Sequence, residues 1–377
     1  MERIHCTPRP DHGRKLEAIG LSFWQWDNYW NEEAYYLFNA KQIEEIEVAT
    51  EELHGLCLQA VEYAIQKDRL GELGIPRPFH ALIKSSFAAE EFSLYGRFDL
   101  AYDGSNPPKM LEYNADTPTS ILESAVAQWY WLEEVFSQDD QFNSLHERLV
   151  ARWRSLEDES CIHFSSISGN EEDWVEITYL METALQAGKQ VRYIAMDDLG
   201  WDARLETFVD MQGKPIKCLF KLYPWEWMMR EPFGMHIMEA GTRFVEPVWK
   251  SVLSCKGILP LLWELFPHHP NLLEAHFGDP KGLASYAKKP IYSREGANIE
   301  LCSQGRLTYR SDGGPYGEEG HVYQELVRLP CFEGRYPVIG SWVVGGEAAG
   351  ICIREDITPV TTNMSFFVPH VLRQESV

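Results

Sequence analysis

Two short stretches of this chain hold the residue types that hard cations and phosphoryl groups require. They are Arg97-Phe98-Asp99, and residues 109–120 with the sequence Lys-Met-Leu-Glu-Tyr-Asn-Ala-Asp-Thr-Pro-Thr-Ser. Side chains alternate across a strand, so Arg97 and Asp99 share one face, as do Glu112 and Asn114. If the two polar sets meet, two carboxylates, a carboxamide and a guanidinium stand together. Oxygen ligands of this kind suit Mg²⁺, which is usually held by one or two carboxylates plus substrate phosphates. Arg97 would then be free to fork onto a carboxylate or phosphoryl oxygen. The plainer alternative is the solvated outer face of an antiparallel hairpin, where Asp, Glu and Arg are ordinary.

The elements that must position these groups are legible in part. Residues 93–102 and 110–114 are rich in aromatic and branched apolar side chains, and Asp103-Gly-Ser-Asn-Pro-Pro between them can continue neither helix nor ladder, which predicts a hairpin. Ahead of it, residues 1–38 read as aromatic and irregular. A helix from about Asn39 to Lys67 would bury Ile43, Ile46, Val48, Leu53, Leu56, Cys57, Val61 and Ala64. After the hairpin, Thr119 or Ser120 reads as the N-cap of a helix from Ile121, whose N-terminus would favour anions beside the hairpin.

Residues 140–215 read as an α/β unit: a strand at Cys161, an acidic turn at Glu171, Glu172 and Asp173 into a helix ending near Ala187, then a strand from Gln190. Strand, helix, strand predicts a parallel pair, and the acidic start suits the helix dipole by itself. Residues 218–275 read as helical and apolar. Within them His236 with Glu239, and the pair His268-His269, lack the ligand set of a zinc site and read as structural. The C-terminal third is strand-rich, with a second hairpin turning through residues 345–350.

Composition excludes several classes. A chain of 377 residues that is 45% apolar builds a sizeable core, and a net charge of -23 repels nucleic acid. Eight cysteines without a CxxC pair suit a reducing compartment. The N-terminus lacks an apolar signal region and no run reaches about 18 apolar residues, so a soluble cytoplasmic protein without membrane contact is expected. Oligomeric state is not legible.

Several long motifs occur in a fixed order. They are Gly96-Arg-Phe-Asp, Leu111-Glu-Tyr-Asn-Ala-Asp-Thr-Pro-Thr, Lys256-Gly-Ile-Leu-Pro-Leu-Leu-Trp, Lys289-Pro-Ile-Tyr-Ser-Arg-Glu-Gly-Ala-Asn and Val344-Gly-Gly-Glu-Ala-Ala-Gly-Ile-Cys-Ile-Arg. No P-loop or GxGxxG is present. Together the motifs resemble the synthetase part of the glutathionylspermidine synthase family from about residue 13 to about residue 370, within a single unit spanning 1–377.

That resemblance implies an α/β (α+β) ATP-grasp fold with a pre-ATP-grasp N-terminal region. Residues 85–215 would serve the metal and acid substrate, and 245–360 the nucleotide. It implies Asp99, Glu112 and Asn114 as Mg²⁺ ligands. Lys256, Lys289, Gly296, Asn298, Gln324 and Arg97 would bind ATP, with 293–298 as a lid and Gln324 at the adenine-side hinge. Arg97 and Arg354 would act on an acyl phosphate, Arg354 from a mobile loop. Thr117, Thr119, Glu171 and Glu172 would contact substrates. The metal ligands precede the nucleotide lysines, an order reversed from most ATP-grasp enzymes. The implied reaction joins a small-molecule acid to an amine at the expense of ATP, through an acyl phosphate. A small-molecule kinase and a non-catalytic Mg-ATP-binding protein are the alternatives. Because the sequence opens directly on synthetase-like residues, the amidase activity of bifunctional members is not expected. Residues 361–367 are uncharged where the family offers a further carboxylate, so an amine with fewer charges than spermidine is expected.

Overall fold

The computed structural model describes residues 1–26, 29–157, 161–311, 313–363 and 365–373. It is a mixed α/β protein in which three larger sheets converge on one cavity.

The predicted hairpin forms the edge of the first sheet. Strands Tyr95–Ala101 and Lys109–Asn114 pair antiparallel, with Arg97 opposite Asn114 and Asp99 opposite Glu112. The sheet continues in the order Lys109–Asn114, Tyr95–Ala101, Tyr336–Val344, Glu347–Asp356, Phe366–Val368. Every residue of Tyr95–Ala101 is buried, so the polar side chains it carries lie inside the molecule. The solvated-face alternative therefore does not describe this hairpin. Tyr336–Val344 and Glu347–Asp356 turn tightly through Gly345 and Gly346, both at positive φ (62° and 95°). The expected loop through residue 350 is thus shorter. Arg354 lies within the long strand, opposite Val338 and Phe367, and not on a loop.

A helix at Ala40–Gln66 covers this sheet, started by a capping box between Asn39 and Gln42. Ile43, Ile46, Leu53, Cys57, Val61 and Ala64 are buried as expected, Leu56 only partly. Val48 is 57% exposed. It follows Ile43 by five residues, which at 3.6 residues per turn carries it well off the buried stripe.

The second sheet is parallel, in the order Arg243–Val245, Cys218–Leu222, Ile162–Ser166, Val191–Tyr193, with helix Glu171–Gln186 linking the last two strands as predicted. Residues 218–275 are therefore not uniformly helical: two strands precede the helix Ile258–Leu265. A fully buried parallel strand is a continuous apolar run, which periodicity cannot separate from a buried helix. The histidines there are structural: His236 stacks on Trp201 at 4.3 Å, and His269 pairs with Glu52 at 3.1 Å.

The third sheet is antiparallel, in the order Ala275–Phe277, His321–Glu325, Tyr286–Pro290, Glu300–Ser303, Arg306–Arg310. A small sheet of Glu2–His5, Ala34–Phe38 and His370–Leu372 ties the two ends of the described chain together. Residues 1–38, expected to be irregular, thus contain two strands and the helix His12–Ala18. Among the described residues all eight cysteines are free, and no helix is long and apolar enough to cross a membrane.

Candidate active site

Opposed positions on the hairpin place Asp99 against Glu112 and Arg97 against Asn114, so the two polar sets meet. Asp99 accepts from Arg97 Nε at 3.0 Å through Oδ1 and from Arg354 Nη2 at 2.9 Å through Oδ2. Glu112 Oε2 lies 3.0 Å from Lys256 Nζ, and Asn114 Nδ2 donates to Glu112 Oε1 at 3.4 Å. Burial alone would raise the Glu112 carboxyl, but Lys256 and Lys289 hold it down at about 2. Two carboxylates and a carboxamide on one face are hard oxygen donors. They fit Mg²⁺ and leave coordination positions for phosphate oxygens and water.

The two lysines expected to hold the nucleotide arrive from other elements. Lys256 sits just before helix Ile258–Leu265 and also donates to Ser293 O at 2.9 Å. Lys289, on Tyr286–Pro290, donates to Gln324 Oε1 at 2.7 Å and Leu111 O at 3.0 Å. Burial lowers its ammonium to about 8 against the pull of Glu112. Gln324 Nε2 in turn donates to Met110 O at 3.0 Å, locking the third sheet to the hairpin.

Gly340 faces Asp99 across the first sheet. A Cβ there would come within 2.6 Å of Cys352 Sγ and 2.8 Å of Arg97 Cδ, so the space that Arg97 fills exists because this residue is glycine.

The segment after Asn114 is held at nearly every residue. Buried Asp116 accepts from Lys221 Nζ at 2.5 Å and from Trp225 N at 2.8 Å. Tyr95 Oη donates to Pro118 O at 3.0 Å, and Arg97 Nη1 to Thr119 O at 2.7 Å. Neither Thr119 nor Ser120 caps the following helix with its side chain. The Ser120 and Ile121 N–H groups donate instead to Glu176, at 3.0 and 3.1 Å. The helix N-terminus expected to attract an external anion is therefore met by the protein's own carboxyl.

One cavity of about 670 Å³ collects Arg97, Asp99, Glu112, Asn114, Thr117, Thr119, Glu172, Lys256, Lys289, Gly296, Gln324 and Arg354. Two residues named from the sequence do not line it. Glu171 is exposed and bonded to Ser22, since the helix turns its first residue outward. Asn298, at φ 58°, spends its carboxamide on Gly314 and Tyr316 and staples a loop.

Sequence reasoning missed Arg294, whose guanidinium crosses the cavity to Thr117 Oγ1 and Glu226 Oε1, both at 2.8 Å. The only signal was its place in the Lys289 motif. Asp173 and Glu295 also line the cavity beside Glu172. Burial, then the neighbouring Glu172, raises the Asp173 carboxyl to about 6. A small annex of about 30 Å³ opens beside Glu172 and Arg354 and ends on Glu123 and Glu176. Of the 361–367 run, Met364 lies outside the described residues. Glu347 is bonded to Arg148, and Asp356 to Thr358 N and Ser365 Oγ, so neither acid reaches the cavity.

Comparison with known proteins shows the family to which the chain belongs. The family model described as "Glutathionylspermidine synthase preATP-grasp" matches residues 3–373. A Haemophilus influenzae protein named "Putative acid--amine ligase" is 41% identical over 98% of this chain and 99% of its own length. The Escherichia coli bifunctional glutathionylspermidine synthetase/amidase is 30% identical over 90% of this chain and 59% of its own length. Among solved structures, a glutathione synthetase-like effector from Globodera pallida in apo form superposes with a TM-score of 0.58 at 12% identity, covering 98% of this chain and all (100%) of that one, a likeness of fold. A family match over nearly the whole chain and a 41% identical relative covered over 99% of its own length lead to one assignment: this chain belongs to the glutathionylspermidine synthase family of ATP-dependent carbon–nitrogen ligases.

Proposed function

We propose that this enzyme is an ATP-grasp ligase that activates a small-molecule carboxylate as an acyl phosphate and transfers it to an amine. The observation that carries this reading is the convergence, in one cavity, of Asp99, Glu112 and Asn114 on the hairpin with Lys256 and Lys289 from the opposite side. Phosphoryl transfer asks for alignment and charge neutralisation more than for covalent help.

Lys256 and Lys289 hold the ATP phosphates, and the segment from Gln324 to Leu329 borders the adenine, with 245–360 forming the nucleotide half. Residues 85–215 form the metal and acid half, so the metal ligands precede the lysines. Asp99, Glu112 and Asn114 would hold Mg²⁺, which would supply neutralisation of the phosphate charge when bound. Arg97 and Arg354 face the transferring phosphoryl group. Thr117 and Thr119 wall the acid, and Glu172, with Asp173 and Glu295, receives the cationic end of the amine. Gly296 and its neighbours at 293–298 cover the phosphates and exclude water that would hydrolyse the intermediate. In the reaction a carboxylate oxygen attacks the γ-phosphorus and ADP leaves; the amine nitrogen then attacks the acyl carbon, phosphate leaves, and the nitrogen loses a proton.

The relatives' names make glutathione the first acid to try. Free cysteines and the absence of a long apolar helix among the described residues accord with a cytoplasmic enzyme. The test is ¹⁸O transfer. With ¹⁸O in the acid's carboxylate, ligation deposits one label in inorganic phosphate, and ADP release requires acid and amine together. A stable phosphorylated product formed without amine would identify a kinase instead.

A further inference from the structure

Ser120 is one of the few residues other than glycine held at positive φ, here 77°, a backbone state that L-residues rarely adopt. Its consequence is local and specific. The Thr119 carbonyl immediately before it receives Arg97 Nη1 at 2.7 Å. On the other side of the bend, the Ser120 and Ile121 N–H groups converge on a single oxygen, Glu176 Oε2, at 3.0 and 3.1 Å, with Glu176 Oε1 3.3 Å from Ile121 N.

Glu176 comes from the middle of helix Glu171–Gln186 and is 3% exposed. No salt bridge reaches it among the described residues, and its partners are two backbone amides. Burial, with Glu123 nearby, raises its carboxyl well above the ordinary range. A carboxyl buried without an ion-pair partner is costly, but a leucine there would leave the Ser120 and Ile121 N–H groups without their acceptor. The second restraint on Arg97 points the same way. Its Nε is fixed by Asp99 at 3.0 Å, and Thr119 O fixes Nη1, so only Nη2 and the outer hydrogens remain for a phosphoryl oxygen.

We infer that Glu176 is a positioning residue for Arg97: by holding the Ser120 and Ile121 amides it keeps the left-handed bend that aims the Thr119 carbonyl at the guanidinium, and so sets the face Arg97 offers to the transferring phosphoryl group. This rests on the proposed role of Arg97. Because one oxygen accepts both amides, a carboxamide replaces the carboxyl, whereas a methyl group does not.

The test is calorimetric titration of the full chain with MgADP, with and without fluoroaluminate as a phosphoryl mimic. Wild type tightens on MgADP when fluoroaluminate is present. Glu176→Ala loses about tenfold or more of that gain, as misplacing a group by a fraction of an ångström can do, while its affinity for MgADP alone stays within about twofold. Glu176→Gln keeps the gain, and Glu176→Ala with Ser120→Gly recovers part of it. Adding Glu176→Ala to Arg97→Ala costs nothing further. Glu176→Asp, which keeps the charge but retracts the oxygens, serves if the alanine variant does not fold, and it too loses the gain. Equal loss of MgADP affinity, or additivity with Arg97→Ala, overturns the inference. So does a wild type that shows no tightening. A wild type that tightens but releases no ADP with acid and amine leaves the inference standing and sinks the ligase reading.

Discussion

The Lys256 ammonium lies 3.0 Å from the Glu112 carboxylate, so a group proposed for phosphate is paired with a group proposed for metal. Asp99 is likewise shared by Arg97 and Arg354. The site is thereby neutralised from within, which offsets the cost of burying charge. On the proposed roles, metal and nucleotide would each displace the partner that the other uses, so their binding would be coupled, and by linkage the coupling would be mutual.

Lys256→Met is therefore expected to act in opposite directions on the two ligands. Binding of Mn²⁺ without nucleotide, followed by electron paramagnetic resonance, should strengthen, because Glu112 is released. ATP affinity should fall by about tenfold or more, as a charge-assisted contact is worth roughly 1.5–3 kcal/mol. Weaker metal binding in the variant would show that the pair does not compete with the metal.

Glu112→Gln should leave the fold intact, since the side chain projects into the cavity and its change is near-isosteric. Mg²⁺-dependent ATP turnover should disappear. Retention within about tenfold, corresponding to roughly 1.4 kcal/mol, would remove Glu112 from the metal site.

Of the acids that line the cavity away from the Asp99 and Glu112 face, Glu172, Asp173 and Glu295 lie at one place and Glu325 stands apart beside Gln324, while Glu347 and Asp356 are engaged elsewhere. A long polycation needs carboxylates spaced along its length. Phosphate release with glutathione should accordingly favour short amines or amino-acid amines over spermidine, and Glu172→Gln should raise the amine KM several-fold. Efficient turnover with spermidine would refute this preference.

His370 is fully buried, with Nδ1 at 2.9 Å from Gln128 Oε1 and Nε2 without a partner, and burial lowers it from 6.5 to about 3. A base depressed in this way is neutral in both states above about pH 6.5. Below that the unfolded chain takes up a proton that the folded chain refuses, so stability falls as pH drops from about 6.5 to about 3, approaching 1.4 kcal/mol per unit. Denaturant melts of His370→Gln across this window should show a shallower slope than wild type; an identical slope would mean His370 titrates freely in the fold.

The alternation of a strand was enough to read which side chains of 97–114 belong together, because a period of two admits one grouping. That the grouped face is interior depends on the 336–356 strands packing alongside, more than two hundred residues away, and local pattern carries no such information. Arg354 sits near a strand end beside Asp356, where a loop reads equally well. Glu176 carries no signal in the sequence, since it is one polar position among several on its helix; only its distance from the Ser120 amides distinguishes it. Asn298 failed for a related reason. Residue order put it in the segment expected to be the lid, but a left-handed backbone turned its carboxamide away from the cavity.

The pairing of Tyr95–Ala101 with Tyr336–Val344 has a consequence for synthesis. A hairpin alone is marginal in water, and the neighbouring strand that buries this one, Tyr336–Val344, is translated more than two hundred residues later. Nascent chains stalled before about residue 340 should thus leave the hairpin of Asp99 and Glu112 without its partner strand, whatever else has folded. The face that carries Asp99 and Glu112 is therefore completed by a strand made long after the hairpin itself.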